Sequence, residues 1–263
     1  MANPVSLHYT ERGQGTVVVF LHGYPLNSTI WQTEQDSLSD HYRVITPDLR
    51  GHGESPAPEG IYEMESLAQD VITLLDSLEV DKAAIMGHSM GGYVTLALWR
   101  LIPERFLALG MISSQAGPDS PEGREGRYKS AENVFMEGSK AAEQSMLPKM
   151  FAAGLPPESS IVEQVRTMIL NTRPSGMIGV LKGMAARPDS RPLMREITVP
   201  VLLLSGDKDQ LIPLQRSVDM AELIEGATLA TIENAGHLAM LEQPQATLMA
   251  IRNFLDQSLG ETH

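Results

Sequence analysis

The sequence predicts an α/β fold: a mostly parallel central sheet with helices on both faces and a helical segment inserted between two of its strands. Three observations carry that expectation. Short, strongly apolar runs recur, among them "VVVFLHG" at 17–23, "YRVITPD" at 42–48 and "AAIMG" at 83–87. Strands buried on both faces read this way, rather than alternating. Stretches of helical period separate several of them, as at 64–78, where Leu67, Val71, Leu74, Leu75 and Leu78 share a face. Finally, the rhythm breaks between about 116 and 188, a Gly-, Pro- and Met-rich segment with helical patches and no convincing strand.

Taken in order, the chain opens on an expected hairpin. Val5 to Thr10 would pair with a strand starting at Thr16, across the turn "RGQG". The strands at 17–23 and 42–48 follow, then the helix Met64–Leu78, then the strand Ala83–Met86. A helix over Tyr93–Ile102 is expected to end at Pro103. Further strands are "LALGMISS" at 107–114, "VPVLLLSG" at 199–206 and "ATLATIE" at 227–233, before a C-terminal helix. The inserted segment holds Met136, Met146, Met150, Met168, Met177 and Met184. Flexible thioethers there either line an adaptable apolar pocket or fill gaps in a small helical subdomain.

With 263 residues, 42% hydrophobic and 20% charged, the chain fits one large domain or a domain carrying an insertion. A net charge of −13 and a pI near 4.9 disfavour nucleic acid and anionic membrane as partners. There is no cysteine, hence no disulfide, thiolate metal site or cysteine nucleophile. The first residues lack the basic-then-apolar layout of a signal peptide, and no apolar run has the length of a membrane span. A cytoplasmic location is expected. Self-association is neither excluded nor specified by these features.

Chemistry concentrates at "GHSMGG", where Ser89 stands between Gly87 and Gly91 at a strand-to-helix junction. So sharp a turn crowds its neighbours, which favours glycine two positions to either side. A serine hydroxyl needs a base, a group that orients the base, and donors for the oxyanion. His237 in "ENAGHLAMLEQP" is the base candidate, in a loop after the last strand. Asp209 in "LLLSGDKDQLIP" is the acid candidate, with Asp207 and Asp119 as rivals. The backbone N–H groups of Met90 and Tyr24 are the expected oxyanion donors. His22 and His88 are expected to hold loops by hydrogen bonds. His52, with Asp48 and Arg50, would belong to a structural turn. His8, His41 and His263 carry no motif, and Trp31 and Trp99 read as core residues. No metal-binding cluster and no phosphate-binding glycine loop is present, so neither metal nor cofactor is expected.

The segments "LHGYPLNSTIW" (21–31), "TPDLRGHGES" (46–55), "GHSMGG" (87–92), "GDKDQLIP" (206–213) and "GHLAMLEQP" (236–244) occur in this order. In them the sequence resembles the α/β-hydrolase superfamily over nearly its whole length. Within that superfamily it is similar to small carboxylesterases, cofactor-free haloperoxidase (perhydrolase) members and enol-lactonases. The resemblance implies an α/β-hydrolase core at 1–115 and 189–263 and a helical cap at 116–188. It also implies Ser89 as nucleophile, Asp209 as acid, His237 as base, and Tyr24 and Met90 as the oxyanion hole. Haloalkane dehalogenases and epoxide hydrolases carry aspartate where this chain has Ser89. Proline iminopeptidases tend to differ around "HGYP" and Met90. The expected activity is therefore cleavage of small carboxylic esters through an acyl-enzyme, on a small-molecule ester or lactone. Perhydrolysis and lactone opening share the same triad, and a non-catalytic small-ligand receptor is the alternative of another class.

Overall fold

A computed structural model describes residues 3–260. Seven strands form one sheet: β1 (Tyr9–Arg12), β2 (Val17–Leu21), β3 (Arg43–Pro47), β4 (Ala83–His88), β5 (Phe106–Ile112), β6 (Val201–Gly206) and β7 (Thr228–Ile232). Their spatial order is β1-β3-β2-β4-β5-β6-β7. Every neighbouring pair is parallel except β1 with β3. Helices α1 (Gln32–Leu38), α2 (Met64–Ser77) and α3 (Met90–Leu101) fall among the first strands. Between β5 and β6 come only helices: α4 (Pro121–Glu137), α5 (Ser139–Met146), α6 (Ser160–Asn171), α7 (Pro174–Ala186) and α8 (Arg191–Met194). Helix α9 (Gln215–Ala221) joins β6 to β7, and α10 (Ala239–Glu242) and α11 (Pro244–Leu259) close the chain. No helix among the described residues is long and apolar enough to cross a membrane.

The expected hairpin does not form. β1 instead pairs antiparallel with β3, Tyr9 opposite Pro47 and Arg12 opposite Val44. The reason is burial. Every residue of β2 is buried, so both of its edges go to parallel neighbours, β3 and β4, in the sheet interior. The largely exposed β1 suits the edge. β4 and β6 are likewise buried throughout. Each buried aliphatic side chain in these strands contributes roughly 1.5–3 kcal/mol of transfer free energy.

Two polar features fix the loops above this core. The Asp48 carboxylate accepts the N–H groups of Ser28 (2.8 Å) and Glu54 (2.9 Å), holding the turn after β3. Arg50 Nη2 donates to a loop backbone carbonyl, that of Asn3 (2.9 Å), and its Nε and Nη2 also donate to the Asp70 carboxylate of α2 at 2.7 and 2.6 Å. This buried, two-pronged pair ties the loop to the helix layer. Helix α3 starts at Met90, three residues before the expected Tyr93, because the turn is completed at Ser89 itself. Its first turn lies against β2: a Cβ on Gly91 would stand 2.4 Å from the Leu21 carbonyl oxygen.

One core carboxyl runs against the pattern. Glu34 in α1 is 0% exposed. Burial drives its pKa from 4.5 up to about 8, against a smaller pull from its own backbone N–H. A raised folded-state pKa contributes stability that is complete below about 4.5 and is lost as pH rises through about 8. Denaturant unfolding of the native chain should therefore weaken between pH 5 and 9, by on the order of 4 kcal/mol from this group. Glu34→Gln should flatten that decline; an unchanged pH profile in the variant would show that the carboxyl is not held neutral.

Candidate active site

The carboxyl ends of β2, β4, β6 and β7 open onto one rim, as parallel strands must. At the end of β4, Ser89 has φ 51° and ψ −113°, a region that non-glycine residues enter at a cost of about 1–3 kcal/mol. Its N–H donates to the Ile112 carbonyl of β5 (2.8 Å), and its own carbonyl accepts the Ser114 hydroxyl (2.7 Å). Met90, the first residue of α3, has no intrahelical acceptor for its N–H. The turn after β2 packs directly on this one. A Cβ on Gly23 would lie 2.6 Å from His88 Nδ1 and 3.1 Å from the Ser89 Cβ. Gly23 thus serves close approach and has no positive φ, and it brings Tyr24 beside the Ser89 turn.

Asp209 and His237 meet from separate loops. His237 Nδ1–H donates to Asp209 Oδ2 at 2.8 Å, and both side chains are buried. Asp209 Oδ1 accepts the N–H groups of Leu211 (2.8 Å) and Ile212 (2.9 Å). Burial alone would raise the Asp209 pKa, but the His237 ring and these hydrogen bonds outweigh it and hold the carboxyl below its usual value. It stays an anion that accepts the His237 Nδ1–H, so Nε2 is the ring nitrogen turned away from Asp209. The rival acids are otherwise engaged. Asp207 pairs with Lys208 at 2.9 Å, and Asp119 pairs with Arg127 and Arg187.

The neighbouring histidines act as neutral struts. His88 Nε2–H donates to the His237 carbonyl at 2.9 Å, with ring centroids 4.7 Å apart. His22 Nε2 accepts the Leu49 N–H (2.8 Å), so its Nδ1–H donates to the Gly23 carbonyl (2.9 Å). Burial lowers the pKa of His22, and takes both His52 and His88 to about 3.

Sequence reasoning left two groups unassigned. Glu242, five residues after His237, accepts the N–H groups of Gly236 (2.8 Å) and Ala152 (2.7 Å). His237 N–H also donates to the Met150 carbonyl (3.0 Å), and Gln210 Nε2 to that of Phe151 (2.9 Å). The segment 150–152, from the helical insertion, thereby clamps the two loops that carry Asp209 and His237. The acid in "GHLAMLEQP" was the available signal, but its partner lies 90 residues away. The second group is Asp119 with Arg127 and Arg187, where the Arg187 guanidinium lies 4.2 Å from the centre of the Tyr93 ring. Burial pushes the Asp119 pKa up, and the two arginines pull it below its usual value. Among the described residues no group of three or more His, Asp or Glu side chains is placed to hold a metal ion.

Comparison with known proteins agrees with this architecture. A family model described as the alpha/beta hydrolase fold matches residues 16–244. The chain is 31% identical to 3-oxoadipate enol-lactonase 2 of Acinetobacter baylyi, over 93% of this chain and 91% of that protein. It superposes on a malate-bound thermophilic esterase of Thermogutta terrifontis with a TM-score of 0.92 and 37% identity, covering 96% of this chain and 93% of the other. A bromoperoxidase of Bacillus anthracis gives a TM-score of 0.86 at 23% identity, over 97% and 96% of the two chains, a likeness of fold alone.

The Glu242 clamp has a direct test. Glu242→Gln keeps one acceptor oxygen for two N–H donors, so one donor is left unmatched at a cost of about 1–3 kcal/mol. Amide exchange at Gly236 and Ala152 should accelerate in the variant, with a lower unfolding midpoint. Unchanged protection at both amides would show that the carboxylate does not hold this loop.

Proposed function

The chain belongs to the α/β-hydrolase family, and from that premise we propose that it is a serine hydrolase that cleaves carboxylic esters of small acyl or aryl groups. The observation that carries this reading is the 2.8 Å Asp209–His237 hydrogen bond at the rim where Ser89 occupies its strained turn. Ser89 Oγ attacks the ester carbonyl as His237 Nε2 takes its proton. Asp209 fixes the imidazole tautomer and stabilises the imidazolium. The Met90 and Tyr24 N–H groups receive the negative charge on the carbonyl oxygen, each worth about 2.7–4 kcal/mol in the transition state. His237 then returns the proton to the departing alcohol. A water activated by the same ring releases the acid and restores Ser89.

The helical segment 116–188 serves as a cap over this rim, and its residues 150–152 brace the acid and base loops. Lactone opening is the same chemistry with the alcohol retained in the product. The 31% identity to an enol-lactonase favours including lactones among the substrates.

Hydrolysis of p-nitrophenyl esters from acetate to dodecanoate, with Ser89→Ala and Asp209→Asn beside the native protein, tests the proposal. Activity should be highest on the short esters and should fall at least about 10³-fold in Ser89→Ala. Asp209→Asn should lower kcat by about 10⁴-fold through the wrong imidazole tautomer. Near-native hydrolysis by Ser89→Ala would overturn the assignment.

A further inference from the structure

The outer face of the helical insertion carries apolar side chains that the fold leaves uncovered. Helix α4 lies against α7 and buries only Ala131 and Val134. Tyr128, Glu132, Phe135 and Met136 recur at i, i+4, i+7 and i+8, one stripe along the helix. In that stripe Phe135 and Met136 are each 77% exposed, and Tyr128 is 43% exposed. With Ile178 and Lys182 of α7, the stripe lines a groove of about 420 Å³. A single surface hydrophobe is ordinary, but three large ones along one groove mark a surface built for contact.

The charges on this face select the occupant. At a net charge of −13, two copies of the chain repel each other across most of their surfaces. The groove is an exception. Helix α4 carries four glutamates against two arginines and one lysine, and α7 adds Lys182 alone, so the two helices together are neutral. Glu132 and Lys182 stand on the groove from different helices, and among the described residues neither side chain has an ion-pair or hydrogen-bond partner. A two-fold axis through the groove brings Glu132 of each copy to Lys182 of the other, because an isologous contact exchanges the two helices. The same operation lays Phe135 and Met136 of each copy over the facing groove. An anionic membrane would be repelled by the chain, and a neutral one offers Glu132 and Lys182 no counterpart.

The size of the face is also adequate. The 17 residues of α4 give a length of about 25 Å, and two packed helices a width of about 20 Å. Covering such a face on both copies removes on the order of 1,000 Å² from water, the lower end of specific interfaces. We propose that a second copy of this chain covers the groove, forming a weak two-fold dimer built on α4 and α7. This contact needs nothing of Ser89, Asp209 or His237 and stands apart from the ester-cleaving reading.

Sedimentation equilibrium of the full chain over a range of concentrations tests it. The native protein should pass from 28.7 kDa to twice that mass with a Kd of about 1–100 µM. Phe135→Ser alters an exposed side chain and should raise the Kd at least about tenfold while its circular dichroism spectrum stays native. Glu132→Lys and Lys182→Glu should each weaken self-association about tenfold, because each sets like charges face to face twice. An equimolar mixture of those two variants should recover nearly native affinity, since each supplies the charge the other lacks. A native chain that stays monomeric above this range would overturn the proposal, and that measurement needs no variant. So would a dimer indifferent to Phe135→Ser, or charge variants that associate like the native chain or fail to recover on mixing. Flotation with phosphatidylcholine vesicles addresses the rival occupant. Vesicle binding by a monomeric native chain, lost in Phe135→Ser, would give the face to lipid instead of a second copy.

Discussion

Ser89 is held at φ 51°, a conformation its own side chain disfavours, and much of the molecule is arranged around keeping it there. A lone turn would relax. This one is closed in by the sheet: its N–H is bound to β5, its carbonyl to Ser114, and the helix that follows is pressed on the β2 backbone through Gly91. The strain is affordable because it is set against the burial of β2, β4 and β5 on both faces, which contributes far more than a few kcal/mol. A parallel sheet also has no choice about where its loops gather. With the carboxyl ends of all its parallel strands on one rim, chain segments more than a hundred residues apart become neighbours.

A layer of polar contacts then turns proximity into geometry. His22 and His88, neutral because burial disfavours their charged forms, hold Gly23 and the His237 backbone by single, directed hydrogen bonds. Glu242 and the backbone at 150–152 brace the same loop from the side of the insertion. Buried hydrogen bonds of this kind add little net stability each, but losing one partner costs the full desolvation of the other. The consequence is specificity of arrangement more than strength. It also links the helical insertion to the Asp209–His237 pair, so the position of the one bears on the other.

The charge distribution has the same logic on a larger scale. In a chain of net charge −13, Asp209 accepts the His237 Nδ1–H, while Asp119 serves two arginines. The Arg127 of α4 and the Arg187 at the end of α7 thus meet on one carboxylate, which ties the two helices of the insertion together.

The strands, their burial on both faces and the order of Ser89, Asp209 and His237 along the chain were legible in the sequence, because unbroken apolar runs and a glycine-flanked serine leave few alternatives. Which strand lies beside β1 was not: an exposed four-residue strand carries no mark of its partner, and the competition of β3 and β4 for the buried β2 decided it. Sequence reasoning preferred Asp209 as the acid but kept Asp207 as its rival, since both follow the same strand. The turn at 209–212 makes the choice by spending one oxygen of Asp209 on Leu211 and Ile212 and aiming the other at His237. The Glu242 clamp and the Arg127–Asp119–Arg187 cluster were likewise invisible, because their partners are separated by up to 90 residues and hydrogen bonds of that span have no periodicity to betray them. Apolar patterning is local and repeats, so the sequence determined the sheet and its covering helices. Polar pairing is directional and non-repeating, so only the tertiary structure decided which charges meet.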